Sequence, residues 1–171
     1  MEIGRTARLS LHEVTASDTD FILAILNDPD FIRYIADRNI RTQDQAAQYI
    51  EEKFTQVYAQ DGYGMYKVCL LEDGRALGMC GLVNRPALPG TDIGFAFLPE
   101  GRGKGYAFES AHFILERAFE HHGLPEILAI TAEDNQASRS LCEKLGLKFE
   151  GMWDWSEEEQ VCLYKKAAPA A

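Results

Sequence analysis

The chain is short of positive charge. Its 17 lysines and arginines face 27 aspartates and glutamates, a formal net charge of -10 at pH 7. Nucleic-acid backbone is bound through a clustered basic surface, so this balance excludes a generic nucleic-acid binder and leaves a small or cationic partner. Apolar runs are equally scarce. None approaches the ~18 residues that a membrane helix needs, and the start "MEIGRTARLS" lacks the apolar stretch of a secretory leader. No membrane partner is expected, and the expected location is cytoplasmic. Cysteine is limited to Cys69, Cys80, Cys142 and Cys162, with no CxxC pair and no histidines at ligand spacing. That excludes a metal or disulfide framework and predicts reduced, mostly core thiols. Internal repeats and linkers are missing too. The 171 residues, 46% of them hydrophobic, predict one domain over 1–166, with the end of "KKAAPAA" as a disordered tail over 167–171.

What is present alternates clearly. "ARLSLHEV" places Ala7, Leu9 and Leu11 between polar neighbours and reads as a first strand. Ser17 with Asp20 resembles a capping pair for a helix carrying Phe21, Ile22, Ile25 and Leu26, and "NDPD" stops it. A short helical piece, "FIRYIAD", follows. Thr42 with Gln45 then makes a second capping box before Ala46, Tyr49, Ile50, Phe54, Val57 and Tyr58 on one face. "MYKVCLL" and "ALGMCGLVNR" flank Asp73-Gly74, a hairpin signal. In "TDIGFAFLP", Ile93, Phe95 and Phe97 share one face while Asp92, Gly94 and Ala96 leave the other nearly bare, which makes room for something to lie along the strand. A helix over "YAFESAHFILERAFEHHG" ends at Gly123, with His121-His122 as a cationic cap. "EILAITA" is a central strand, "SRSLCEKLG" a helix, and "LKFEGMWDW" with "QVCLYKK" a closing hairpin. The fold class is α/β, one mixed sheet containing a parallel β-α-β crossover.

Between that bare strand and its helix lies "PEGRGKGYAFESA". A nucleoside-triphosphate loop needs a hydroxyl after its lysine, and Lys104 is followed by Gly105. A dinucleotide fingerprint needs a third glycine where Tyr106 or Phe108 stands. What survives is Arg102-x-x-Gly105-x-Ala107 at a strand-to-helix junction. There the free amides of the first helical turn and the helix dipole suit a pyrophosphate.

On these residues the chain resembles the GNAT superfamily of acetyl-CoA-dependent N-acetyltransferases, whose acyl-CoA motif is [QR]-x-x-G-x-[GA]. It is similar to the RimJ/RimL-like branch through "ARLSLHEVTASDTDFILAILNDPDFIRYIADRNIRT", "GLVNRPALPGTDIGFAFLP", "GRGKGYAFESA" and "EDNQASRSLCEKLGLKFEG". The resemblance implies the GNAT fold, a mostly antiparallel sheet whose parallel strands splay at the acyl-CoA site. It also implies transfer of acetyl from acetyl-CoA to a primary amine, either a protein N-terminus or a small molecule, by direct attack. Carried over residue by residue, backbone groups of Phe95 and Phe97 hold the pantetheine arm, and Arg102, Gly103, Lys104, Gly105, Tyr106 and Ala107 cradle the pyrophosphate.

The acid and base are less sharply marked. An amine with a pKa near ~10 must lose a proton, and the leaving thiolate must gain one. The motif-B tyrosine of many family members is replaced by Cys142, read here as a core thiol. Ser138 is the substitute acid and Asn135 a coenzyme contact, each with a helix cap as its other reading. Asp92 is the first candidate base, or a solvated strand-end carboxylate; Glu133 and Asp134 come second. Tyr106 and Glu109 belong to the loop and its helix. Arg33, Tyr34, Asp37, Arg38, Asn84 and Arg85 are expected around the acceptor. The hairpin with Trp153 and Trp155 is an interface or a lid, family members being often dimers. The rival reading is a non-catalytic acyl-CoA-binding or regulatory module that has lost its acid and base.

Overall fold

The apolar alternation resolves into one eight-stranded sheet with helices on both faces, in a computed structural model that describes residues 1–170. The strands are β1 (Glu2–Arg5), β2 (Leu9–Glu13), β3 (Met65–Leu70), β4 (Ala76–Asn84), β5 (Thr91–Phe97), β6 (Glu126–Thr131), β7 (Lys148–Asp154) and β8 (Gln160–Ala167). Their spatial order is β1-β2-β3-β4-β5-β6-β8-β7, and only β5 and β6 run parallel. The helices are α1 (Thr19–Leu26), α2 (Pro29–Tyr34), α3 (Gln43–Ile50), α4 (Gln56–Asp61), α5 (Tyr106–Glu120) and α6 (Gln136–Lys144). Helices α1 to α4 all fall between β2 and β3, where the sequence signals two or three.

Each face has its own core. Leu9, Leu11, Leu82, Ile93 and Phe97 pack under Ala111, Ile114, Leu115 and Ala118 of α5 and Cys142 and Leu145 of the α6 end. On the opposite face, Val14 and Met79 meet Ile22, Ile25 and Leu26 of α1, Phe31 of α2, and Ala46, Ile50 and Phe54. Each Leu, Ile, Val, Phe or Met among them contributes about 1.5–3 kcal/mol by leaving water, which makes the helical stripes read from sequence the main force seating the helices. Gly81 shows how tightly the sheet is drawn. A Cβ there would lie 2.0 Å from the Gly64 carbonyl oxygen and 2.6 Å from the Met65 Cα.

Several expectations are corrected. β1 carries no apolar alternation and exists through its pairing with β2, whose own start moves to Leu9 because residues 6–8 turn the chain. The capping box lies on the 3-10 turn Ala16–Asp18 that leads into α1, and Thr15 and Asp18 make it, not Ser17 and Asp20. Thr15 has the extended backbone a cap requires, and its N–H donates to Asp18 Oδ2 at 2.8 Å. The Thr42–Gln45 box stands as read. The following helix is interrupted by a π-helical turn over Glu51–Thr55, whose wider winding shifts the phase of the apolar stripe. His122 does not serve as a cationic cap: partial burial, with His121 and Arg117 nearby, lowers its pKa, and its ring meets Tyr63 edge-on. The closing hairpin stands as read, with β8 placed between β6 and β7. β8 continues to Ala167, and the Ala168 N–H donates to the Pro125 carbonyl, so pairing passes the boundary expected at 166. Ala171, the end of the expected tail, lies outside the described residues.

Candidate active site

β5 and β6 form a fork. β4 and β5 stay in register from Gly78↔Phe97 to Asn84↔Thr91, whereas β5 and β6 pair only at Asp92↔Leu128. Backbone parity decides what the fork exposes. The Leu98 N–H donates to the Leu77 carbonyl at 2.9 Å while Phe97 sits opposite Gly78. Phe97, and with it Phe95 and Ile93, therefore turns N–H and C=O away from β4 and toward β6. Past that one bridge, β6 offers Phe95 and Phe97 no ladder partner. Phe95 and the Phe97 N–H form an open polar edge inside the sheet, which native backbone does not leave without a partner. The Phe97 carbonyl accepts from Arg102 Nε at 3.0 Å.

The glycine loop sits at the open end of this edge. A 3-10 turn over Pro99–Gly101 leads to Gly103 and Gly105, with φ of 75° and 82°, and Gly105 is the last residue before α5. Such left-handed backbone favours glycine, and it leaves the amides of Tyr106 and Ala107 at a helix N-terminus with no intrahelical partners. A network the sequence did not reveal holds the loop from behind. Arg8 Nη1 donates to the Lys104 carbonyl at 2.9 Å, Arg8 Nε meets Glu109 Oε1 at 2.7 Å, and the Arg8 guanidinium lies 4.5 Å from the Tyr106 ring centre. Thr6 and the Arg8 N–H also donate to Glu109. Burial alone would raise the Glu109 pKa, but these hydrogen bonds and the Arg8 charge leave it lowered. Lys104 is exposed and makes no ion pair among the described residues. Arg102 is different: its side chain leaves the loop for Asp28 and Asp30 of the α2 start, at 2.6 and 3.0 Å.

At the closed end of the fork stands Asp92. It is only 1% exposed, which rules out the solvated strand-end reading. Burial drives its pKa up to about 6, against the pull of Arg85 at 3.2 Å. Arg85 in turn lies 5.5 Å from the ring centre of Trp155, and Trp153 Nε1 donates to the Ala87 carbonyl. The closing hairpin is thus fastened over residues 85–90. Asp92, Gly94 and Ala96 face the α1–α4 side, and the room beside Gly94 is bounded by Met65, whose Sδ would be 3.3 Å from a Cβ there.

The remaining expected residues divide. Arg33 reaches across the fork from α2 to Asp134, after β6, at 3.6 Å, and stacks on Tyr34 at 4.8 Å. Both charges of that pair are well exposed, so it is worth little energetically. Asn84 does not join the site. Successive strand residues face opposite sides, and Asn84 turns to the α5 side, where it bonds Tyr63, Thr91 and Asp61. Asn135 caps α6, its Oδ1 accepting the Ser138 N–H at 3.3 Å. The Ser138 hydroxyl has no side-chain partner among the described residues. Cys142, one turn further, is buried, and its thiol is pushed up to about 12 by burial. Tyr49, read only as core, is a further polar group on the α1–α4 side. Burial raises its pKa against the nearby Arg38 and Arg85. Among the described residues no three His, Cys, Asp or Glu side chains converge as metal ligands, and no helix is long and apolar enough to cross a membrane.

The chain and its fold have counterparts among known proteins. Residues 8–148 match the family model described as an acetyltransferase (GNAT) domain. YoaA of Bacillus subtilis, an uncharacterized N-acetyltransferase, is 28% identical over 153 residues, covering 88% of this chain and 85% of its own. Among solved structures, RimL, a ribosomal alpha-N-protein acetyltransferase in complex with coenzyme A, shares the fold with a TM-score of 0.85 at 16% identity over 100% of both chains. An acetyltransferase from Agrobacterium tumefaciens does so with a TM-score of 0.82 at 21% identity, covering 97% of this chain and 94% of its own. With the family model spanning most of its length, the chain belongs to the GNAT family of acetyltransferases.

Proposed function

We propose that this acetyltransferase moves the acetyl group of acetyl-CoA directly to a primary amine in the fork between β5 and β6. The observation that carries the reading is the open backbone edge at Phe95 and Phe97, running from the Gly103–Gly105 loop to the buried Asp92. Phe95 and the Phe97 N–H would bond the pantetheine arm, while backbone amides of residues 102–107 take the pyrophosphate. The acceptor nitrogen attacks the thioester carbon, a C–N bond forms and the C–S bond breaks. Asp92, ionised above about pH 6, takes the proton from nitrogen. The Ser138 hydroxyl, unclaimed by other side chains, gives its proton to the departing thiolate as it takes one from solvent, into which Asp92 releases its own, and Asn135 sets the position of Ser138 by capping α6. Arg33, Tyr34 and Arg85 face the acceptor, which is a peptide N-terminus or a small amine. Four unpaired, buried cysteines suit a reducing compartment, and we place the enzyme in the cytoplasm.

Calorimetric titration with CoA, followed by acetyl-CoA consumption over a panel of small amines and N-terminal peptides, tests this. CoA binding with turnover on at least one amine is the expected result. Binding without turnover on any acceptor would favour the non-catalytic module, for which the replacement of the motif-B tyrosine by the sealed Cys142 thiol speaks. No binding would overturn both.

A further inference from the structure

Arg102 opens the glycine loop, yet each of its three guanidinium nitrogens is bonded elsewhere. Nε donates to the Phe97 carbonyl at 3.0 Å, Nη2 to Asp28 Oδ2 at 2.6 Å and Nη1 to Asp30 Oδ2 at 3.0 Å. Asp28 is 7% exposed, and the same Oδ2 accepts the backbone N–H groups of Asp30 and Phe31 at 3.1 and 3.2 Å. One carboxylate is therefore both the N-cap of α2 and the counter-charge of a donor-loop arginine. Two carboxylates around the guanidinium also make it a poor phosphate ligand, because an incoming anion would meet them first.

We infer that Arg102 is a positioning residue that fastens α2, which carries Arg33 and Tyr34 on the acceptor side, to the coenzyme loop. This rests on the proposed coenzyme site. Its backbone moves with the loop, its Nε is tied to the last carbonyl of β5, and its two terminal nitrogens hold the start of α2. Once a pyrophosphate fixes the loop amides, α2 loses freedom as well, so donor binding sets the acceptor wall. The connection joins residues more than 70 positions apart in sequence.

Hydrogen exchange over residues 28–34, with and without CoA, tests the inference in the full-length wild type, Arg102→Gln, Arg102→Lys and Asp28→Asn. Asparagine caps helices as well as aspartate does, so Asp28→Asn keeps α2 while removing its charge. Without ligand, Arg102→Gln should speed exchange over 28–34 by about tenfold, the scale of one lost charge-assisted hydrogen bond, with Arg102→Lys in between. Saturating CoA should slow this segment in the wild type, and much less in Arg102→Gln and Asp28→Asn, with the calorimetric CoA affinity of Asp28→Asn within about threefold of the wild type. Unchanged exchange in the ligand-free variants would overturn the inference. So would a large loss of CoA affinity in Arg102→Gln with α2 exchange as in wild type, which would make Arg102 a phosphate ligand. Failure of the wild type to bind CoA would instead refute the coenzyme site, and the ligand-free comparison would still decide the fastening.

Discussion

Replacing Asp92 by asparagine removes the proposed base while keeping the size of the side chain, and it should move activity and stability in opposite directions. In the folded protein burial raises the Asp92 pKa from 3.8 to about 6. Between those values the folded chain holds a proton that the unfolded chain has released, so stability falls as pH rises through the window, and the full cost is present above about pH 6. At about 1.4 kcal/mol per tenfold change in proton affinity, that cost approaches 3 kcal/mol. The neutral asparagine would not bear it, although Arg85 would lose its partner, so a gain of about 1–3 kcal/mol at pH 8 is expected. For a chain of this size that raises Tm by roughly 2–12 °C, and the gain should shrink toward zero at pH 4. Activity should fall by about 10²–10⁴-fold, the range for loss of a general base. The assay is release of the CoA thiol from acetyl-CoA with an accepted amine, run from pH 5 to 8 beside thermal unfolding. The ratio of wild-type to variant kcat/KM, in which the ionisation of the amine itself cancels, should rise with pH and level off above about 6. A variant that keeps wild-type activity and the same pH profile would refute the assignment of Asp92.

Three further outcomes follow from particular contacts. Gly81→Ala drives a Cβ into backbone atoms of Gly64 and Met65 and should cost about 3 kcal/mol or more in denaturant unfolding; a loss under about 1 kcal/mol would mean the sheet yields there. Arg8→Ala releases the Lys104 carbonyl and Glu109 and should weaken CoA binding by about tenfold in calorimetry, through a loop no longer held in shape; unchanged affinity would show that the loop needs no support. Cys142→Ala should leave kcat within about twofold and the pH profile unmoved, since a buried thiol with a pKa of about 12 is a core group; a drop of about 100-fold would make it the acid.

Much of the fold was legible because its elements announce themselves locally. Leu9 and Leu11, Ile93 and Phe97, and Ala111 through Ala118 carry the right periods, and Thr42 with Gln45 caps as its spacing implies. Gly103 and Gly105 marked the loop for the same reason, since their left-handed backbone favours glycine. β1 was missed because "EIGR" has no pattern of its own and is held only by its pairing with β2. Asn84 and Arg85 were both expected around the acceptor, although strand parity sends the two to opposite faces. The double role of Asp28 was not legible. "NDPD" reads as a helix stop, and only the tertiary contact with Arg102 shows what else the carboxylate does. The same holds for Asp92, whose burial and raised pKa depend on elements distant in sequence.

Direct attack is the central claim, and intact-mass spectrometry tests it most plainly. The full-length enzyme is mixed with acetyl-CoA alone, and then with acetyl-CoA and an accepted amine. The account predicts a protein of unchanged mass in both mixtures and one acetyl group on the amine in the second. An acetylated protein that forms without amine and passes its acetyl group on when amine is added would contradict it.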